Sequence, residues 1–295
     1  MAEQIEQVRQ KGVKQFLIAL IGALLVLFLL LMIPSTDRMP VLMFGGFGGL
    51  AVVLVVLGNA EKKYHLAYKD IFLRSLLENE FDDVTLNFEE GFSKEEIASG
   101  HLVRLYDRFY SDDYIAGKYK DVAFECSDIK VEDVVRSGKH THVVTRFQGL
   151  YLKVNLMKEF TGWTVVREKE FLDNGNPRPF WSEMPEIEKV SVESEEFNQK
   201  FCIYTSNGEE AFYLLTPHFM EKLFEIERRY EGRCLFGFVC GQLHIAIDSR
   251  KDHFVLNLFE KVNEYRIAEH QAEIDTIKGI IELVAKECET TWNSY

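Results

Sequence analysis

The chain has no C-x-x-C pair, no G-x-S-x-G elbow, no G-x-x-x-x-G-K-S/T loop and no surplus of positive charge. The missing motifs remove the usual sequence marks of a thiol redox pair, a serine hydrolase and a nucleoside triphosphate site. The glycines of Phe236-Gly-Phe-Val-Cys-Gly do not precede a helical pattern, so they build no phosphate loop. Lys and Arg number 34 against 47 Asp and Glu, a net charge of −13. Four basic and three acidic side chains in residues 1–60 leave +1 there and −14 in residues 61–295. Such a balance repels phosphate backbones, and no basic stripe with interleaved aromatics offsets it, which excludes nucleic acid as the main ligand. The five cysteines (Cys126, Cys202, Cys234, Cys240, Cys288) are odd in number and scattered, and read as buried thiols in a reducing compartment.

Charge is also absent from two apolar runs, Phe16–Ile33 and Val41–Leu57, separated only by the polar turn Pro34-Ser-Thr-Asp-Arg-Met-Pro40. At 1.5 Å of rise per residue, a helix of about 18 residues spans roughly 27 Å, close to the hydrocarbon thickness of a bilayer. The pattern predicts a two-helix transmembrane hairpin. A cleaved signal peptide is excluded by the length of the first run and by the lack of a small-x-small cleavage site after it. Arg9, Lys11 and Lys14 precede the first run and Lys62, Lys63, Lys69 and Arg74 follow the second, while the turn holds only Arg38, balanced by Asp37. The positive-inside rule then puts both ends on the cytosolic side of the cytoplasmic membrane. Small residues repeat at four-residue spacing in both spans, as Gly45-x-x-x-Gly49 and Ala19-x-x-x-Ala23, which lets helix backbones approach closely. Two readings stay open: Gly45 and Gly49 receive leucines of the first span, or they seat a further helix.

Beyond the hairpin, Glu61–Glu80 continues as helix with Tyr64, Tyr68, Ile71, Phe72 and Leu76 on one face. Ser93-Lys-Glu-Glu96 matches a capping box, predicting a helix through about Tyr110. From Tyr119 to Glu170 the pattern turns β-rich, with runs at 122–126, 141–147, 149–156 and 163–167. Residues 173–186 form the clearest break. After it come Lys189–Glu193 and Phe201–Thr205 as strands, then a helix with Thr216 as N-cap and Pro217 at its first position, running to about Tyr230. Leu235–Val239 and Leu243–Asp248 flank a Cys240-Gly-Gln turn as a hairpin. The last helix, roughly Glu260–Glu289, carries Ile267, His270, Ile274, Ile277, Ile281, Val284 and Cys288 at alternating spacings of three and four. That seven-residue repeat suits either a coiled-coil seam, with Ile267, Ile274, Ile277, Ile281 and Val284 as the pairing residues, or an amphipathic helix lying on its own domain.

The expected fold class is α+β: an N-terminal two-helix transmembrane hairpin, then a cytosolic domain of antiparallel β-strands with flanking helices. The expected divisions are a hairpin over 1–60 (spans about 16–33 and 41–57), a membrane-proximal helical segment over 61–110, an α+β domain over 111–260 with a sub-boundary at 173–186, and a C-terminal helix over 261–295. Candidate chemistry is sparse. His140-x-His142 is half a metal site with no third ligand nearby in sequence, and Asp112–Asp113 and Glu193/Glu195/Glu196 read as caps or solvated acids rather than an acid–base pair. No catalytic, metal or cofactor site is assigned.

Several segments together resemble the DUF3137 family of uncharacterised bacterial membrane proteins. They are Tyr110-Ser-Asp-Asp-Tyr-Ile-Ala-Gly-Lys-Tyr-Lys, Val122-Ala-Phe-Glu-Cys-Ser-Asp, Phe147-Gln-Gly-Leu-Tyr, Val192-Glu-Ser-Glu-Glu-Phe-Asn-Gln-Lys-Phe-Cys-Ile-Tyr and Ala211-Phe-Tyr-Leu-Leu-Thr-Pro-His-Phe-Met. The resemblance covers roughly residues 60–260 and the preceding hairpin, and the Glu-Phe-Asn and Leu-Thr-Pro-x-Phe-Met elements are its most specific parts. It implies association with a LemA-type membrane protein and implies no activity. The sequence therefore reads as a membrane-anchored interaction or scaffold protein, leaning away from an enzyme, with a protein partner or a second copy besides the bilayer. The alternative is a membrane-bound sensor holding a small ligand or lipid headgroup in its β-rich domain.

Overall fold

The computed structural model describes residues 2–32, 38–138, 140–156, 160–169, 188–230 and 232–292. The turn residues 34–37, the loop 173–186 and the side chain of Cys288 lie outside them. Contacts divide the chain into two compact units, Met1–Leu77 with Phe254–His270, and Glu78–His253 with Gln271–Tyr295.

The first unit is built on α1 (Ala2–Met32) and α2 (Arg38–Tyr68), both long and apolar enough to cross a membrane. A five-residue π-helical segment, Lys69–Leu73, follows α2 and leads into α3 (Arg74–Glu80). The aromatic face predicted over 61–80 is real: Tyr64 and Tyr68 are fully buried. They join Ile5, Ala60, Leu256 and Leu258 in a small core at the base of the two helices. The segment Phe254–His270 thus returns to the end of α2 from about 190 residues away in sequence.

The second unit is a nine-stranded antiparallel sheet in the order β1-β2-β3-β4-β9-β8-β5-β7-β6. Its strands are β1 (Asp82–Asn87), β2 (Arg108–Tyr119), β3 (Val122–Ser137), β4 (His140–Asn155), β5 (Trp163–Glu168), β6 (Glu188–Val190), β7 (Phe201–Thr205), β8 (Arg233–Val239) and β9 (Gln242–Asp248). The helices of this unit are α4 (Lys94–Ser99), α5 (Glu195–Lys200), α6 (Gly208–Leu214), α7 (Pro217–Arg229) and all but the first turns of α8 (Glu264–Trp292).

Both faces of the sheet centre are covered, which explains the consecutive buried positions of β7, β8 and β9. Leu235 of β8 faces a core of Phe92, Ile97, Leu102, Val103, Ile129, Val131, Phe147 and Tyr151. On the opposite face Phe236 meets Phe201, Phe201 meets Phe197 and Phe224, and Phe238 meets Phe219, with ring centroids 4.8–6.2 Å apart. The β8–β9 turn falls where the sequence puts it. Cys240 and Gly241 both have positive φ, 48° and 77°, as a two-residue hairpin turn with the native strand twist requires.

Three predictions need correction. The capping box at Ser93–Glu96 forms, but α4 ends at Ser99 and strand β2 begins at Arg108. Leu102 and Val103, which lie within that expected helix, instead pack in the core against the sheet face. The runs at 141–147 and 149–156 are one sixteen-residue strand, whose pairing with β3 shifts register at Val131/Glu132. Cys126, Cys202 and Cys234 are buried as expected, whereas Cys240 sits exposed in the hairpin turn.

Ile274, Ile277, Ile281 and Val284 of α8 are each at most 1% exposed within the chain, and Ile267 is half-buried. Truncating Ile281 to Ala should therefore cost about 2–5 kcal/mol of folding stability, read by urea unfolding of the detergent-solubilised chain. An altered assembly mass with little loss of stability would instead mark the stripe as a pairing seam.

Candidate functional site

The described residues contain no group of three His, Cys, Asp or Glu able to hold a metal ion. His140 and His142 are exposed on β4, paired in register with Ser137 and Val135. Asp112 and Asp113 lie where the β2–β3 register shifts, and Asp113 takes a left-handed φ of 54°. Glu195 and Glu196 occupy the first turn of α5 behind the Ser194 cap, where a carboxylate complements the helix dipole. Glu195 and Glu196 thus have a local structural task.

A cluster of titratable groups lies elsewhere, at the end of β9. The sequence did not mark it, because its members are contributed by three separated segments. His253 Nδ1 lies 3.1 Å from Glu273 Oε1 and Nε2 lies 3.1 Å from Ser249 Oγ. The backbone N–H of His253 donates to Asp128 Oδ2 at 2.6 Å. Burial pushes the Asp128 carboxyl up to about 7, eased by the His253 charge and N–H bond and reinforced by Asp252 and Asp112. Burial alone lowers the His253 pKa, but its bond to Glu273 and the charges of Asp128, Glu273 and Asp252 outweigh it and raise the value above the ordinary imidazole range.

Serine, histidine and glutamate in this order have the outline of a nucleophile–base–acid relay, and two of its distances are met. A further requirement is not. An oxyanion site needs uncommitted N–H donors, whereas Ser249 N–H donates to Ile247 O at 3.0 Å and Arg250 N–H to Gln148 O at 2.9 Å. The cluster is a clamp joining β3, the strand end after β9 and α8.

A second buried pair follows the same rule. Tyr151 OH lies 2.9 Å from His244 Nδ1, and burial, with smaller effects of Lys153 and His101, lowers the His244 pKa to about 4. That imidazole is neutral at physiological pH and belongs to the core. A cavity of about 300 Å³ on the outer strands is lined by Asp83, Lys118, Glu125 and Lys153 among others. Its charges satisfy one another: Lys118 pairs with Asp83 at 2.8 Å, and Lys153 with Glu125 at 3.4 Å and with Glu96 at 2.9 Å.

In the first unit the small residues face the partner helix. A Cβ built on Gly45 would fall 2.2 Å from Leu30 Cδ1, and one on Gly49 would fall 3.3 Å from Ala23 Cβ. Gly45, Gly49 and Ala23 therefore sit in the α1–α2 contact, while Ala19 lines a groove beside it with Val56. The aromatic pair Phe16 and Phe259, with centroids 5.5 Å apart, closes the base.

A family model described as a protein of unknown function (DUF3137) matches residues 145–286. The resemblance read from the sequence is thereby shown over that stretch, from β4 into α8. No curated protein matches the chain. Among solved structures, the crystal structure of the mycobacterial trehalose monomycolate transport factor A, TtfA, is similar at 9% identity and a TM-score of 0.36. The match covers 68% of this chain and 88% of that one.

The clamp makes a signed prediction. Asp128 stays protonated in the fold up to about pH 7 but ionises near pH 4 when unfolded. Its contribution to stability is thus lost progressively as pH rises between those values. His253, with its raised value, works in the same direction above about pH 6.5, and His244, with its lowered value, works oppositely between about pH 4 and 6.5. Asp128→Asn keeps the acceptor and removes the titration. The stability of this variant relative to the parent should grow from pH 5 to 7, by at most about 1.4 kcal/mol per pH unit, and level off above. Urea unfolding at a series of pH values measures it; a constant difference would remove Asp128 from the account.

Proposed function

We propose that the chain is a two-span membrane protein that holds its acidic α+β domain on the cytosolic side and acts by binding a protein partner. The observation that carries this reading is the outward surface of the two long helices. Leu17, Ile21, Leu24, Phe28 and Met32 on α1, and Phe44, Phe47, Val52 and Val55 on α2, are 46–81% exposed. Contiguous apolar surface on this scale is unstable in water and stable in lipid, where helices satisfy their own backbone groups. Orientation follows from the basic flanks at Lys11, Lys14, Lys62 and Lys63, against the single Arg38 at the other end.

Binding is favoured over catalysis because the polar groups of the domain are spent on the fold. Asp248 illustrates the pattern. Its side chain is 1% exposed and pairs with Arg233 Nε and with Arg250, while also accepting the Gln148 N–H. A homo-oligomer or a LemA-type protein is the partner class that fits this placement.

Cys240 provides the test. In a Cys288→Ser background it is the exposed thiol among the described cysteines, so a membrane-impermeant maleimide should label it in inside-out vesicles and leave it unmodified in intact cells. Alkaline carbonate should leave the chain in the membrane pellet. Labelling in intact cells would reverse the orientation, and release by carbonate would remove the anchor. Recovery of the bait alone from detergent at native expression would overturn the partner half of the reading.

A further inference from the structure

We propose that the groove between α1 and α2 at their basic ends is a binding site for an anionic phospholipid of the surrounding bilayer; this rests on the two-span reading above. The groove has a volume of about 410 Å³ and is lined by Gln15, Ile18 and Ala19 from α1 and by Val56, Asn59 and Lys63 from α2. It is a side pocket of a packed pair. The two helices are in contact on either side of it, where Cβ atoms built on Gly12 and Gly49 would lie 3.3 Å from the Cβ atoms of Ala60 and Ala23.

The order of the lining residues points to an amphiphile. α1 runs into the apolar span from its basic end, so it presents Gln15 first and then Ile18 and Ala19. α2 runs the opposite way, so Val56 comes first, then Asn59, and Lys63 lies outermost. Both walls are therefore apolar on the deep side and polar on the outer side, in step with each other. An acyl chain fits Ile18, Ala19 and Val56, where the small Ala19 side chain forms the depression. A headgroup fits Gln15, Asn59 and Lys63 as donors.

Charge selects the class of lipid. None of the six lining residues is acidic. The side chains of Gln15, Asn59 and Lys63 are exposed and make no hydrogen bond or ion pair among the described residues. An unpaired ammonium group in a groove with no acidic lining residue favours a headgroup with net negative charge. Phosphatidylglycerol meets that requirement, and phosphatidylcholine, with no net charge, does not.

The test uses the full chain in nanodiscs of equal phosphatidylglycerol and phosphatidylcholine, released into mild detergent and weighed by native mass spectrometry. Retained phosphatidylglycerol should exceed phosphatidylcholine. Lys63→Gln should lower that preference roughly fivefold, the equivalent of about 1 kcal/mol for one lysine beside an anionic lipid. Lys63→Arg should preserve it. Ala19→Phe, which fills the depression, should abolish retention while leaving the monomer mass distribution unchanged. Equal retention of the two lipids, or indifference to Lys63→Gln, overturns the proposal while leaving the membrane anchor standing. A change of oligomeric state in Ala19→Phe without loss of lipid assigns the groove to a second copy and overturns it too. Failure of the chain to enter the nanodisc overturns the two-span reading itself, and the lipid site with it.

Discussion

Two tyrosines one helical turn apart hold the first unit together. Tyr64 donates its hydroxyl to Glu260 O at 3.0 Å, and Tyr68 OH lies 2.6 Å from His270 Nδ1. Both rings are fully buried, so each hydroxyl needs a partner, and each finds it on the segment that follows the sheet. His65 adds a bond to Leu256 O. The result is a collar in which Leu256 and Leu258 fill the base between α1 and α2. Loss of a tyrosine hydroxyl here would strand a buried partner, which costs more than the bond itself contributes. The chain leaves this unit at Leu77 and comes back to it at Phe254, so every strand of the sheet is a long excursion closed by these few contacts.

The second unit answers a different demand. A sheet covered on both faces needs apolar residues at consecutive positions, and alternation therefore disappears from its central strands. What remains polar inside must be paired. Glu168 shows the rule: burial raises its pKa, and the Cys234 N–H and Lys200 are the groups that hold it. Asp128 with His253, Asp248 with Arg233, and Tyr151 with His244 are further cases. These groups specify how strand ends and helices meet.

Local signals were legible where a single residue's chemistry decides the backbone. The Ser93 capping box, the Thr216 cap ahead of Pro217, the Cys240–Gly241 turn and the break into two apolar helices all follow from contacts a few residues apart. What the sequence hides is set by distance. The stretch after Ser99 carries helix-like spacing, yet Leu102 and Val103 are drawn onto the sheet, where tertiary burial outweighs helical propensity. The clamp at His253 was invisible for the same reason, since Asp128 and Glu273 lie 125 and 20 residues away from it. Ser249 and Asp252 are local, and a serine four residues from a histidine carries no signal of its own.

The last helix shows how to weigh a pattern against its exceptions. A seven-residue apolar repeat suits pairing between helices, but two residues within the helix spoil the seam. His270 is polar at a core position, and it is there because Tyr68 OH meets its ring in the first unit's core. Gly279 weakens a helix by roughly 1 kcal/mol relative to alanine, and it is there because a Cβ would fall 2.6 Å from the hydroxyl of Tyr230, which donates to Thr276 O. Both exceptions are fitted to neighbours within this chain. His270 on the stripe and Gly279 off it thus show what α8 meets within this chain as directly as the apolar residues do.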